Sequence, residues 1–157
     1  MPYNYKDASL ELIFASKIKQ ILGEIFIQKN IKADLEQATD FAVFTIKPFK
    51  IGVRLRTYKY YDRYPNQITI RWSRPSGAET EIDKIKKDLV QYIFYGFIDD
   101  NMEKIVQYII VESEVFKDIK PVEIRLNNPY DSKLAAYDLS QIPSFFIVKF
   151  WKEDSSS

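Results

Sequence analysis

The chain is 157 residues long, with 46% hydrophobic residues, 29% charged residues and a net charge of +1. This composition predicts one globular domain over residues 1–152, followed by a disordered polar tail at 153–157. Cysteine and histidine are absent from the sequence. Disulfides, zinc–thiolate sites, thiol catalysis and Ser-His-Asp catalysis in this chain are therefore excluded. Any chemistry would use carboxylates, lysine, arginine, tyrosine or hydroxyls, with Mg²⁺ as the cofactor of an active enzyme.

No apolar run approaches the roughly 18 residues that a membrane-spanning helix needs. The first residues also lack the basic segment and long apolar segment of a targeting signal. We therefore expect no membrane partner and a cytoplasmic, intracellular protein.

The first predicted element is a helix over residues 8–28, because apolar residues recur there at intervals of three and four. Residues 29–40 predict a polar connection, and residues 41–46 a short apolar strand. Residues 51–58 and 67–73 alternate between apolar and polar side chains, which is typical of strands. The tyrosine-rich segment between these two strands predicts a turn or loop.

Residues 79–90 predict a second helix, with acidic residues early and lysines later. Residues 91–98 predict a buried strand, residues 105–111 a strand or short helix, and residues 113–119 a short helix. Three further short strands are predicted at 122–126, 134–139 and 144–151. These elements predict an α+β fold with a central mixed β-sheet flanked by helices.

Positive charge is concentrated in one part of the chain. Residues 46–75 contain eight basic residues and one acid, an excess of seven, and hold five of the six arginines. Arginine binds phosphate through two parallel hydrogen bonds, and aromatic rings stack on bases. The sequence therefore predicts nucleic-acid binding, unless this segment is a solvated sheet face with aromatic residues in the core. The candidates are Arg54, Arg56, Arg63, Arg71 and Arg74 for phosphates, and Tyr60, Tyr61 and Trp72 for bases.

Arg54 and Arg56 share one face of their predicted strand, and Arg71 lies on the polar face of the next. If these strands pair as a hairpin, the three guanidinium groups lie on one surface. Such a surface needs neutralising groups, either carboxylates of the protein or a phosphate backbone. The available acids are Glu24, Asp40, Glu79, Glu81 and Asp83.

The order of the predicted elements resembles that of the PD-(D/E)XK nuclease-like superfamily. In this order a helix with an internal glutamate is followed by a strand that starts with aspartate, a strand with paired polar residues and a second helix. The resemblance covers about residues 8–98 and implies an αβββαβ core, in which acids bind Mg²⁺ and a lysine orients the attacking water. It implies that Glu24 and Asp40 bind the metal and that Arg56 takes the place of the catalytic lysine. The same segment is similar to small proteins of phages and mobile elements.

Arg54 departs from this pattern, because it stands where the superfamily has a metal-binding acid. A cation at that position repels Mg²⁺. Either the missing acid comes from Glu81 or Asp83, or the fold has lost catalysis and retained binding. The surplus of arginine favours a nucleic-acid-binding protein with a degenerate nuclease-like fold. The alternatives are a Mg²⁺-dependent nuclease that hydrolyses phosphodiesters, and a phage or mobile-element protein-interaction module or inhibitor.

Overall fold

The computed structural model describes residues 10–37, 49–127 and 132–154. The chain divides into two compact units, residues 1–48 and residues 49–157. The predicted α+β class with a mixed β-sheet flanked by helices is confirmed, and that sheet has four strands. The strand predicted at 41–46 and Asp40 lie outside the described residues.

The first unit contains helix α1 (Ala15–Gln37), which follows helical residues at 10–13. The predicted apolar stripe is buried, at Leu10, Phe14, Ile18 and Ile21. The helix does not end at residue 28, so the predicted connection over 29–40 is wrong at least as far as Gln37. Lysine, alanine, leucine, glutamate and glutamine dominate the added turns, and all five favour helix regardless of polarity.

The second unit contains two β-sheets. Its strands are β1 (Ile51–Arg56), β2 (Gln67–Ser73), β3 (Tyr92–Ile98), β4 (Ile105–Glu112), β5 (Glu123–Asn127), β6 (Ser132–Asp138) and β7 (Ile147–Lys152). The four-stranded sheet has the order β1-β3-β4-β7, with β1 parallel to β3 and the other pairs antiparallel. The three-stranded sheet has the order β2-β6-β5 and is antiparallel.

Two short α-helices lie among these strands. Helix α2 (Tyr58–Arg63) occupies the segment that the sequence predicted as a loop. Helix α3 (Glu81–Lys86) is shorter than the predicted 79–90. Its start is fixed by a capping box, in which Thr80 and Asp83 each bond the other's backbone N–H. Single 3₁₀ turns span Ser113–Lys117, Leu139–Gln141 and Ser144–Phe146.

The predicted hairpin between residues 51–58 and 67–73 is wrong. Strand β1 pairs with β3, from Ile51 opposite Tyr92 to Arg56 opposite Phe97, whereas β2 pairs with β6. A hairpin requires a tight connection of a few residues. Helix α2 fills that connection and contacts β3, so it separates the two strands into different sheets.

The core of the second unit is one cluster of buried side chains that draws on both sheets and on α3. It includes Ile70 of β2, Ile85 of α3, Ile93 of β3, Val111 of β4 and Ala135 of β6. The two sheets and α3 therefore share one apolar core, which fixes the strands that carry the arginines.

Glu153, near the end of the described chain, makes a hydrogen bond and an ion pair with β4 and the segment before it. Glu153, which the sequence placed in the polar tail, donates its backbone N–H to the carbonyl of Val106 over 2.9 Å. Its carboxylate also pairs with Lys104 Nζ at 2.6 Å. Residues 155–157 lie outside the described residues. Among the helices that the structure describes, none is long and apolar enough to cross a membrane.

Candidate nucleic-acid interface

Arg56, the last residue of β1, links the two sheets. It is only 9% exposed. Its Nε donates to Tyr95 Oη over 3.2 Å, and its Nη2 donates to Thr69 Oγ1 over 2.6 Å. The two hydroxyl oxygens are themselves 3.0 Å apart. Burial raises the pKa of Tyr95, so that hydroxyl stays neutral. Arg56 is therefore placed to hold the sheets together, and it offers a polymer little accessible surface.

Arg54 lies two residues earlier on the same strand and pairs with the first residue of α3. Its Nη2 is 3.3 Å from Glu81 Oε2, and the two side chains are 21% and 16% exposed. Glu81 follows Thr80, whose hydroxyl donates to Asp83 Oδ2 over 2.9 Å and lies 3.4 Å from the carbonyl oxygen of Trp72. The start of α3 is thereby fixed against β2, beside Arg71.

Arg71 is the β2 member of the site. Its Nη1 donates to Ser132 Oγ, at the start of β6, over 2.5 Å. Burial lowers the pKa of Arg71, and so do the neighbouring charges of Arg54, Arg74 and Arg56, whereas the charge of Glu81 raises it. The charges of three guanidinium groups, two from β1 and one from the turn after β2, therefore act on Arg71. We call Arg54, Arg56, Arg71 and Arg74 the arginine cluster.

Three polar atoms of this site are buried without a hydrogen-bond partner. They are Arg54 Nε, Arg71 Nε and Glu81 Oε1. An unpaired buried polar atom costs about 1–3 kcal/mol, and more if it is charged. Folded proteins rarely retain such atoms unless water, an ion or a ligand satisfies them. Two donors and one acceptor of the site are therefore shielded from solvent without a hydrogen-bond partner in the protein.

The three predicted base-stacking residues are half-buried, and all pack against the hydrophobic core. The Tyr61 ring lies 4.9 Å from that of Phe97. The guanidinium of Arg56 lies 5.1 Å from the Tyr60 ring centre, and Lys86 Nζ lies 5.5 Å from that of Trp72. Each ring therefore already contacts the protein, and Tyr60, Tyr61 and Trp72 pack against the core as partly buried side chains.

Arg63, the fifth predicted phosphate contact, is exposed at the end of α2 and lies over the Tyr64 ring at 5.4 Å. The same ring carries Arg125 at 3.7 Å from its centre. Arg125 also donates to Tyr60 Oη over 3.2 Å and to Gln67 Oε1. Sequence reasoning missed Arg125, because it lies on β5, far along the chain from the basic segment.

The predicted metal ligands are Glu24, Asp40 and Glu81, and the structure does not bring them together within the described residues. Glu24 is exposed on α1, where Gln20 Nε2 lies 3.4 Å from its Oε1. Asp40 is outside the described residues. Glu81 is bonded to Arg54, a cation that repels a metal ion, so it does not fit the role of metal ligand. Within residues 10–37, 49–127 and 132–154, no three acidic side chains form a group that could hold a metal.

Comparison with known proteins adds no assignment. The chain matches no family model, no curated protein and no solved structure. The case for a function therefore depends on the residues of the site and their geometry.

Proposed function

We propose that the protein binds nucleic acid by contacting backbone phosphates through Arg71 and Arg74 of the arginine cluster. The observation that carries the proposal is that Arg71 is surrounded by the like charges of Arg54, Arg56 and Arg74, while its own side-chain hydrogen bond goes to the neutral hydroxyl of Ser132. Like charges repel, so this arrangement is most stable when an anion neutralises the excess. A phosphate backbone supplies such an anion and is the preferred partner of arginine.

The ion pairing within the protein supports this proposal. Arg54 is paired with Glu81, but Arg71 and Arg74 form no ion pair within the described residues. Arg71 is bonded to a neutral hydroxyl, that of Ser132, and Arg74 is exposed. A structural network of arginines and carboxylates would instead pair each cation with an acid. Arg71 and Arg74 are therefore the phosphate contacts that we propose first.

The test is binding of fluorescent single-stranded and double-stranded oligonucleotides across a series of salt concentrations. Arg71→Gln and Arg74→Gln should each weaken binding for every sequence. Each change should also reduce the slope of log affinity against log salt by about one, because one phosphate contact is lost. Lys149→Gln is the matched control, since it removes one charge from an exposed position on β7.

Arg74→Gln guards against a folding artefact, because Arg74 is exposed, whereas Arg71 is partly buried. Absence of binding at low salt would overturn the proposal and direct the search to a protein partner. Equal losses for Arg74→Gln and Lys149→Gln would also overturn it, because they would show an effect of total charge rather than of this site.

A further inference from the structure

We infer that two copies of the chain pair through β5, antiparallel to each other, about a two-fold axis at Ile124. The inference does not depend on the proposed function. It assigns a second interaction surface, whose partner is a second copy of this chain. The pairing joins two three-stranded sheets into one sheet with the strand order β2-β6-β5-β5-β6-β2.

Strand β5 is open to pairing on one side. Among the described strands it is bonded to β6 alone, and it is the last strand in the order β2-β6-β5. An edge strand of this kind offers backbone N–H and C=O groups to a further strand. Proteins often protect such edges with lysine or proline, and residues 122–126 contain neither.

The exposed side chains of this segment are apolar at every second position. Val122, Ile124 and Leu126 are 50%, 42% and 55% exposed. In the register Ile124 lies opposite Ala135 of β6, which in turn lies opposite Ile70 of β2. Side chains at facing positions share one face of a sheet, so Ile124 extends the apolar face of this sheet to its edge. Pairing with a second sheet would remove this apolar surface from water.

The run Val-Glu-Ile-Arg-Leu is complementary to itself when it is read in the opposite direction. A two-fold axis at Ile124 places that residue opposite its own copy. Glu123 then lies opposite Arg125 of the second copy, and Val122 lies opposite Leu126. Apolar pairs and opposite charges at facing positions both stabilise an antiparallel strand pair.

The neighbouring registers are less favourable. Backbone groups of successive residues point alternately towards β6 and away from it, so the axis must pass through a residue and not between two residues. An axis at Glu123 would set two glutamates opposite each other, and an axis at Arg125 would set two arginines opposite each other. Like charges at facing positions are destabilising. The charges therefore select the register centred on Ile124.

The charged pair is also prepared for this contact. The guanidinium of Arg125 is held by Glu123 Oε2 at 2.9 Å, by Tyr60 Oη at 3.2 Å and by Gln67 Oε1. A side chain that is already ordered loses little entropy on association. The Glu123 side chain is 54% exposed, so its carboxylate is accessible to a second copy.

The experiment is sedimentation velocity of the protein from low-micromolar to submillimolar concentration. Two short strands bury less area than a standard interface. The unmodified protein should therefore be monomeric at the lowest concentration and approach twice that mass at the highest. Ile124→Lys and Ile124→Glu should each weaken association by roughly a hundredfold, because each sets like charges opposite each other at the axis. An equal mixture of the two variants should associate again, because a lysine then faces a glutamate.

Phe150→Lys is the matched control. It adds the same charge at a side chain that is 46% exposed on β7, at the edge of the other sheet, and should leave association unchanged. Each variant should keep the circular dichroism spectrum of the unmodified protein, because the substituted side chains are exposed. A monomer at every concentration would overturn the inference, and so would loss of the dimer in Phe150→Lys. A mixture of the two Ile124 variants that stays monomeric would overturn the register.

Discussion

The two faces of β2 differ sharply in chemistry, although the strand is buried on both. On one face Ile68 and Ile70 are 0% exposed, and Tyr137 and Ala135 of β6 lie opposite them in the register. On the other face Thr69 is 1% exposed and its hydroxyl bonds Arg56. The next polar position, Arg71, reaches Ser132.

The alternation of apolar and polar side chains along β2 therefore separates two kinds of buried contact. It does not separate a buried face from a face exposed to solvent. The apolar face is stabilised by removal of surface from water, which needs no particular geometry. The polar face depends on partners at hydrogen-bond distance, and an unpaired atom there is costly. Substitutions on the two faces should therefore have effects of different kind and size.

The largest effect is expected on the apolar face. Ile70→Ala should lower the free energy of unfolding by roughly 3 kcal/mol, because it leaves a cavity in a core that cannot fully close. The measurement is urea denaturation of the variant and the unmodified protein at one pH. Ile124→Ala is the control, since Ile124 lies on β5 of the same sheet but is 42% exposed. A loss for Ile70→Ala as small as that of the control would show that this face is not a packed core.

A smaller loss is expected on the polar face. Thr69→Val keeps the shape of the side chain but removes the hydroxyl that bonds Arg56 Nη2 and Tyr95 Oη. The variant should lose about 2 kcal/mol, because two buried polar groups lose a partner.

Thr57→Val is the matched control for this change. Thr57 is exposed and makes no side-chain hydrogen bond at the start of α2, so its loss should stay below about 0.5 kcal/mol. If Thr69→Val unfolded at the same urea concentration as the unmodified protein, the link between the sheets would contribute nothing to stability.

The strands of this comparison were predictable from the sequence, but their partners were not. The alternation over 51–58 and 67–73 correctly predicted β1 and β2, because a half-apolar pattern of period two fits a strand regardless of its neighbours. Pairing depends on contacts that are remote in the chain. Nothing local to β1 indicates that β3 lies beside it, about 40 residues later.

The site was predictable to a similar degree. The sequence placed Arg54, Arg56 and Arg71 on one surface only if their strands paired as a hairpin, and that pairing is wrong. The charges of Arg54 and Arg56 nevertheless act on Arg71 across the two sheets. The groups that define the site's chemistry come from elsewhere. Ser132 reaches Arg71 only through the register of β6, and Glu81 reaches Arg54 only because the capping box at Thr80 fixes α3. Such contacts follow from tertiary packing, which local patterns do not encode.

The smallest expected change in stability comes from Tyr137. Its hydroxyl is the one polar side-chain group among the residues compared on the apolar face. Its hydroxyl is buried without a hydrogen-bond partner. Tyr137→Phe should therefore raise the free energy of unfolding by roughly 1 kcal/mol at neutral pH, because the desolvated hydroxyl is removed. Tyr58→Phe, at a ring that is 42% exposed, should change stability little. Destabilisation by Tyr137→Phe would show that the hydroxyl has a partner after all.

The same hydroxyl predicts how stability changes in alkali. Burial raises the pKa of Tyr137 to about 12, whereas a tyrosine in an unfolded chain titrates near pH 10. Between these values the unfolded state has released the proton and the folded state has not, so stability falls as the pH rises. The advantage of Tyr137→Phe over the unmodified protein should therefore grow from pH 10 to pH 12 in urea denaturation. A constant difference across that range would contradict burial of the hydroxyl, and β2 would then face an environment more polar than its isoleucines indicate.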